Sequence, residues 1–99
     1  MKVRSTVEGG RTTLAVSGRI DTTTAPELQR AVDALPAGVK ELIFGFADVE
    51  YISSAGLRVM LHANKLMLAG GGTMSVEGAV PAVREVFAIT GFDSVIDLK

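Results

Sequence analysis

The chain has no cysteine and a single histidine, His62. The first absence removes disulfides, thiolate chemistry and cysteine-ligated metal sites together. The second removes paired-histidine zinc sites and most histidine clusters, so no metal and no cofactor is expected. Charge of either sign is also scarce in excess. Ten basic residues stand against 11 acidic ones, for a net charge of −1. That balance leaves no nucleic-acid footprint and no polybasic membrane patch. The start, Met1-Lys2-Val3-Arg4-Ser5, lacks the apolar run of a signal peptide. The longest apolar stretch is broken by Arg58, His62 and Lys65, too soon for a membrane span. A cytoplasmic location is the expectation.

What is present fits one globular domain over residues 1–99. A second domain needs roughly another 100 residues. Hydrophobic residues are 47% and charged residues 21% of the chain, which excludes disorder by low hydrophobicity. A chain of this length buries about 60–65% of its unfolded surface, enough for one modest core.

Residues 2–7 and 12–17 read as two strands joined by the turn Glu8-Gly9-Gly10-Arg11. Gly18-Arg19-Ile20-Asp21 leads out of the second. Thr24-Ala25-Pro26-Glu27 opens a helix, with Thr24 as its cap and Leu28, Ala31, Val32 and Leu35 at helical spacing. Glu41-Leu42-Ile43-Phe44-Gly45-Phe46 is nearly all apolar, as in a central strand covered on both faces. Asp48 to Ile52 then reads as a strand-to-helix loop. Residues 54–69 form the longest helix, with Arg58, His62 and Lys65 on one narrow polar stripe. Thr73-Met74-Ser75-Val76 is a further strand. Pro81 opens a third helix that Gly91 stops, and Val95-Ile96 adds a last strand. This alternation predicts an α/β fold: a mixed sheet with an initial hairpin and right-handed helical crossovers.

Sites in such sheets lie at loops leaving strand C-termini. The richer loop, Asp48 to Gly56, ends in two serines at a helix start, where backbone N–H groups are unpaired and the dipole is positive. Ser53 reads as an N-cap. Ser54 is either an ordinary first-turn residue or a functional hydroxyl, and a phosphate on it would meet those free donors. Asp21 has its own structural reading, an Asx-turn braced by Thr22, Thr23 and Thr24. His62 reads as a solvated helix residue. Asp48 and Glu50 have no histidine nearby in sequence, and no nucleophile-elbow or phosphate-loop pattern is present. The residue inventory therefore argues against an enzyme.

Together these segments carry a resemblance. Gly18-Arg19-Ile20-Asp21 with Thr24-Ala25-Pro26-Glu27-Leu28 is similar to the second-strand exit of STAS domains. Val49-Glu50-Tyr51-Ile52-Ser53-Ser54-Ala55-Gly56-Leu57-Arg58 resembles their signature loop and second helix. Pro81-Ala82-Val83 and Phe87-Ala88-Ile89-Thr90-Gly91-Phe92 resemble the third helix and its end. The match spans nearly the whole chain and looks most like standalone bacterial anti-sigma factor antagonists.

The resemblance implies partner switching. The antagonist binds an anti-sigma factor that is also a serine/threonine kinase and thereby frees a sigma factor. The kinase phosphorylates a serine at the start of the second helix, and a PP2C-type phosphatase reverses this. By alignment the acceptor is Ser54. The contact surface would comprise Asp21, Thr22, Thr23, Ser53, Gly56, Leu57, Arg58 and His62. ATP belongs to the kinase, and no nucleic acid or membrane insertion is implied. Three positions depart from the family pattern: Ser53 replaces a frequent Asp, Ala55 a frequent Ser or Thr, and Gly45 an Asp or Asn. The chain stops soon after Asp97, so the family's usual C-terminal helix is expected to be absent, leaving apolar surface for a partner or a second copy. A different expectation is a non-catalytic STAS subunit of a lipid-transport ATPase assembly.

Overall fold

Gly9 adopts a positive φ of 60°, and with Gly10 it turns the chain between two strands. These are β1 (Lys2–Glu8) and β2 (Arg11–Ile20), paired antiparallel from Lys2↔Ser17 to Glu8↔Arg11. The remaining elements are α1 (Ala25–Asp33), β3 (Glu41–Ile52), α2 (Ser54–Ala69), β4 (Thr73–Glu77), α3 (Pro81–Thr90) and β5 (Asp97–Leu98). A 3₁₀ turn at Phe92–Ser94 precedes β5. The computed structural model describes all residues, 1–99. The five strands lie in chain order, β1-β2-β3-β4-β5, and every pair after the hairpin is parallel.

That order has one geometric consequence. Each crossover steps one strand in the same direction, and right-handed crossovers then place all three helices on one face. The burial pattern agrees. Leu14, Val16, Ile20, Leu42, Phe44, Phe46, Val49, Ile52, Met74 and Val76 are buried together with the inner sides of the helices. The opposite face carries Lys2, Arg4, Ala15, Glu41 and Glu77, all exposed or half-buried, with an Arg11–Glu41 ion pair at 3.0 Å. The central strand is thus covered on one face, not on both as its apolar run suggests. Its odd positions hold Ile43, between Thr13 and Ser75, and Gly45, between Ala15 and Glu77.

α2 occupies the span that its periodicity predicts, 54–69. It buries Leu57, Met60, Ala63, Asn64 and Met67 and leaves Arg58, His62 and Lys65 exposed. α3 is pinned by an aromatic series. Phe46 stacks on Phe87 with ring centroids 6.3 Å apart, and Phe87 on Phe92 at 6.2 Å. Gly91 ends α3 in the left-handed conformation, φ 78°, where a residue with a Cβ is strained.

Two local expectations are corrected. Asp48 to Ile52 is not a loop but the second half of β3, paired with Ser17–Ile20 of β2. The register shifts between Ala15/Ser17 and between Gly18/Arg19, so β3 carries extra residues at two bulges. Thr24 is the N-cap of α1 by position but makes no side-chain cap bond. Its hydroxyl donates instead to the carbonyl of Arg19 at 2.8 Å and accepts from the backbone N–H of Asp21 at 2.8 Å. The final strand lies at Asp97–Leu98, two residues beyond the Val95-Ile96 expected for it.

Candidate functional site

β2 and β3 end side by side, with Ile20 paired to Ile52. Both strands therefore deliver their exit loops to the same corner of the sheet, as parallel neighbours must. The backbone N–H of Ser53 donates to the carbonyl of Ile20 at 2.8 Å and locks the two exits together.

The first exit is a knot around one carboxylate. Asp21 Oδ1 accepts from the Thr23 hydroxyl at 2.7 Å, the Thr23 N–H at 3.0 Å and the Thr24 N–H at 3.1 Å. The Thr23 hydroxyl, followed by the Thr24 N–H, holds the Asp21 carboxyl below the usual carboxylate range. Desolvation opposes this without reversing it. Asp21 is thus spent on shaping the loop, while Thr22 and Thr23 stand exposed at its tip.

The second exit is the start of α2. Ser53 has an extended backbone, φ −93° and ψ 174°, and its Oγ accepts from the Gly56 N–H at 3.4 Å. It is therefore the N-cap. Ser54 follows as the first helical residue. It is exposed, and its hydroxyl makes no hydrogen bond. The unpaired donors of the first turn and the helix dipole surround that free hydroxyl with positive potential.

Gly56 and Leu57 do not belong to the accessible surface assigned to them from the sequence. Both are buried, Leu57 being 8% exposed. A Cβ on Gly56 would lie 2.6 Å from Ile20 Cγ2 and 2.8 Å from Ile52 Cγ1. Gly56 thus lets α2 start in contact with both strand ends, and Leu57 anchors that start in the core. Both thereby fix where the first turn of α2, and with it Ser54, stands.

Of the other residues singled out, Thr22, Arg58 and His62 converge on one groove, whose lining does not include Asp21, Thr23, Ser53 or Ser54. Thr22, Ala25, Pro26, Gln29, Ala55, Arg58, Val59 and His62 line one open groove of about 600 Å3 between the starts of α1 and α2. Pro26, Gln29 and Val59 were not singled out from the sequence. The signal was there: Pro26 and Gln29 are three apart and share one flank of α1, beside the buried stripe of Ala25, Leu28 and Val32. Arg19 and Tyr51 were missed as well. They are register partners at the strand ends, and the guanidinium sits 4.5 Å above the Tyr51 ring, a cation–π pair beside the site. Asp48 lies apart, on the open sheet face with Lys2, Arg4 and Ser17. No group of three or more His, Asp or Glu is placed to hold a metal ion. No helix is long and apolar enough to cross a membrane.

Fold and corner together define a small α/β domain that presents a serine-tipped helix start beside a groove. The chain belongs to the STAS domain family: the sequence profile described as "Mlab, STAS domain" matches residues 3–97. It is 30% identical over 84 residues to the anti-sigma-B factor antagonist of Bacillus subtilis, covering 85% of this chain and 77% of that one. The crystal structure of an anti-sigma factor antagonist from Mycobacterium paratuberculosis superposes with a TM-score of 0.87 at 28% identity, over 98% of this chain and 83% of that one. The unphosphorylated form of the anti-sigma factor antagonist SpoIIAA shares the fold, with a TM-score of 0.82 at 16% identity over 99% and 88% of the two chains.

Proposed function

We propose that this protein is an anti-sigma factor antagonist that acts by partner switching, with Ser54 as its phosphorylation site. In this reading an anti-sigma factor that is also a serine/threonine kinase docks on the corner formed by Thr22, Thr23, Arg58 and His62. Binding frees a sigma factor in the cytoplasm. Transfer of phosphate to Ser54 ends the complex, and a PP2C-type phosphatase restores it. The chain is then a substrate and a binding module, not an enzyme.

One observation carries the reading. Of two adjacent serines, the structural task of capping falls to Ser53, and the exposed Ser54 hydroxyl is left with no bond to make. A phosphate there adds about −1.5 to −2 charges at pH 7 next to the groove that Ala55 and Arg58 line. A few kcal/mol of repulsion and desolvation is about a hundredfold or more in affinity. The fold need not change, since Ser54 is exposed and its hydroxyl holds no hydrogen bond that phosphorylation would break. The names of the relatives point the same way.

The test compares wild type, Ser54→Ala and Ser54→Asp as baits in lysate of the protein's own organism, with mass spectrometry of partners and of phosphate. A kinase held by the first two and lost by Ser54→Asp, with phosphate mapped to Ser54, is the expected result. A second reading has its own support, because the family that matches the chain is named for Mlab as well as for the STAS domain. It makes this protein a non-catalytic subunit of a lipid-transport ATPase assembly. An ATPase subunit of a transporter held equally by all three baits, with Ser54 unmodified, would replace the first reading by the second.

A further inference from the structure

The two edges of the sheet are unlike. One is β5, only two residues long. The other is β1, seven residues without proline and paired to β2 with no bulge. Edge strands usually carry such interruptions because free N–H and C=O groups attract another strand. Every residue of β1 is exposed except the half-buried Val3, and Val7 is 52% exposed.

The hairpin fixes which backbone groups are free. Glu8 and Arg11 flank a two-residue turn and so exchange both backbone bonds. Bonding alternates from there. Lys2, Arg4, Thr6 and Glu8 direct their N–H and C=O groups toward β2, whereas Val3, Ser5 and Val7 direct theirs outward.

The sequence of β1, Lys-Val-Arg-Ser-Thr-Val-Glu, is complementary to itself when reversed. Laid antiparallel about a two-fold axis at Ser5, Lys2 opposes Glu8 of the second copy, Val3 opposes Val7, Arg4 opposes Thr6 and Ser5 opposes Ser5. The outward-bonding residues then meet only each other, which is what an antiparallel ladder requires. Each two-residue slip to another register that keeps the faces matched loses ladder bonds. A slip toward the N-terminus also sets Arg4 against Arg4. The two-fold axis stands perpendicular to the sheet, so the helix-covered faces of both copies stay on one side. Lys2 and Glu8 make no ion pair within the chain, and the only ones present are Arg11–Glu41 and Lys99–Asp97.

We propose that β1 is a homodimer interface: two copies join edge to edge, antiparallel about Ser5, into one ten-stranded sheet. The two Lys2–Glu8 pairs set the register, and the two Val3–Val7 pairs cover the exposed valine. The junction is smaller than a standard interface of about 1,600 Å2, so association is weak and follows protein concentration. The dimer leaves the Ser54 corner free, because that corner sits at the C-terminal ends of β2 and β3. The proposal does not depend on the function proposed above.

Sedimentation of the untagged chain between about 10 μM and 1 mM tests it, with the mass rising from one chain toward two in that range. Ser5→Pro removes an N–H that points away from β2, so the hairpin stays and the dimer is lost. The charge variants give an independent reading. Lys2→Glu alone and Glu8→Lys alone each set like charges opposite one another twice, and each weakens association about tenfold. An equimolar mixture of those two variants pairs Glu with Lys at both ends and dimerises again. A wild type that stays at one chain's mass at the highest concentration overturns the proposal. So does a dimer indifferent to Ser5→Pro in a chain whose spectrum shows the hairpin intact. A mixture of the charge variants that stays as monomeric as its parts overturns the assigned register.

Discussion

The backbone N–H of Ser53 donates to the carbonyl of Ile20 across 2.8 Å, and this bond joins the threonine loop to the start of α2. Ile20 precedes the aspartate that organises the threonine loop. Ser53 precedes the serine proposed to carry phosphate. The threonine tip and the helix start therefore move as one body, and a partner that reads both meets a preformed surface. Preorganisation of this kind saves the ordering entropy that flexible loops lose on binding.

Asp21 makes that body sensitive to acid. Its carboxyl titrates below the ordinary value because the ionised form receives the Thr23 hydroxyl and the N–H groups of Thr24 and Thr23. A depressed pKa stabilises the fold above the unfolded value of about 3.9 and loses that effect as pH falls through the folded value. Asp21→Asn should thus lower the unfolding midpoint by a constant amount from pH 7 down to about pH 4. Below that the gap to wild type should close. A gap unchanged to pH 2.5 would show that the carboxylate charge is not what holds the loop.

The two serines should separate in stability measurements. Ser53→Ala removes the acceptor for the Gly56 N–H, a long bond at 3.4 Å, so the cost should fall near the lower end of cap losses, about 0.5–1 kcal/mol. Ser54→Ala removes no bond and should stay within about 0.5 kcal/mol of wild type. Denaturant unfolding of both variants decides the assignment of cap and free hydroxyl. An equal loss in the two would contradict it.

Arg58 and His62 share the groove with Thr22. Arg58→Glu should leave unfolding within about 0.5 kcal/mol of wild type, because the side chain is exposed and makes no ion pair. If the groove receives the partner proposed here, the same change should weaken capture about tenfold or more, an effect usual for an arginine at the centre of an interface. Titration calorimetry with the captured partner separates the two quantities.

Much of this was legible in the residues because local and global preferences agree. The interval 54–69 shows unbroken helical periodicity with a serine at its head, and Gly70 follows its last residue. Pro81 and Gly91 bound α3 for backbone reasons that need no tertiary information. The second half of β3 was not legible. Asp48, Glu50 and Tyr51 look like loop residues because the bulges interrupt the alternation that marks a strand. Only the presence of β2 alongside makes the extended course favourable there. Thr24 misled for a similar reason. A threonine ahead of Ala-Pro-Glu has the form of a cap, yet its hydroxyl is claimed by Arg19 and Asp21, which the chain brings back upon it. Nor does the sequence show that Gly56 and Leu57 turn inward, since that follows from how closely α2 approaches Ile20 and Ile52.

Gly56 and Gly45 should respond oppositely to the same substitution. At Gly56 an added Cβ meets Ile20 Cγ2 at 2.6 Å and Ile52 Cγ1 at 2.8 Å, both branched side chains fixed in the core. Neither has a loose end to yield, so Gly56→Ala should cost about 1–3 kcal/mol and tilt the start of α2. At Gly45 the nearest atoms are Ala15 Cα at 3.6 Å and Ala15 Cβ at 3.9 Å, ordinary contact distances, and φ is not positive. Gly45→Ala should therefore stabilise the fold by about 0.4–1 kcal/mol by restricting the unfolded chain. The polar residue that the family resemblance implies at this position would also fit the backbone. It would project from the open face, away from the helices and from the Ser54 corner. Gly45→Asp should then leave capture by a partner at that corner unchanged within a factor of about three, since a screened charge on the far face acts weakly across the sheet. A tenfold change in capture would instead make the open face part of the recognition surface.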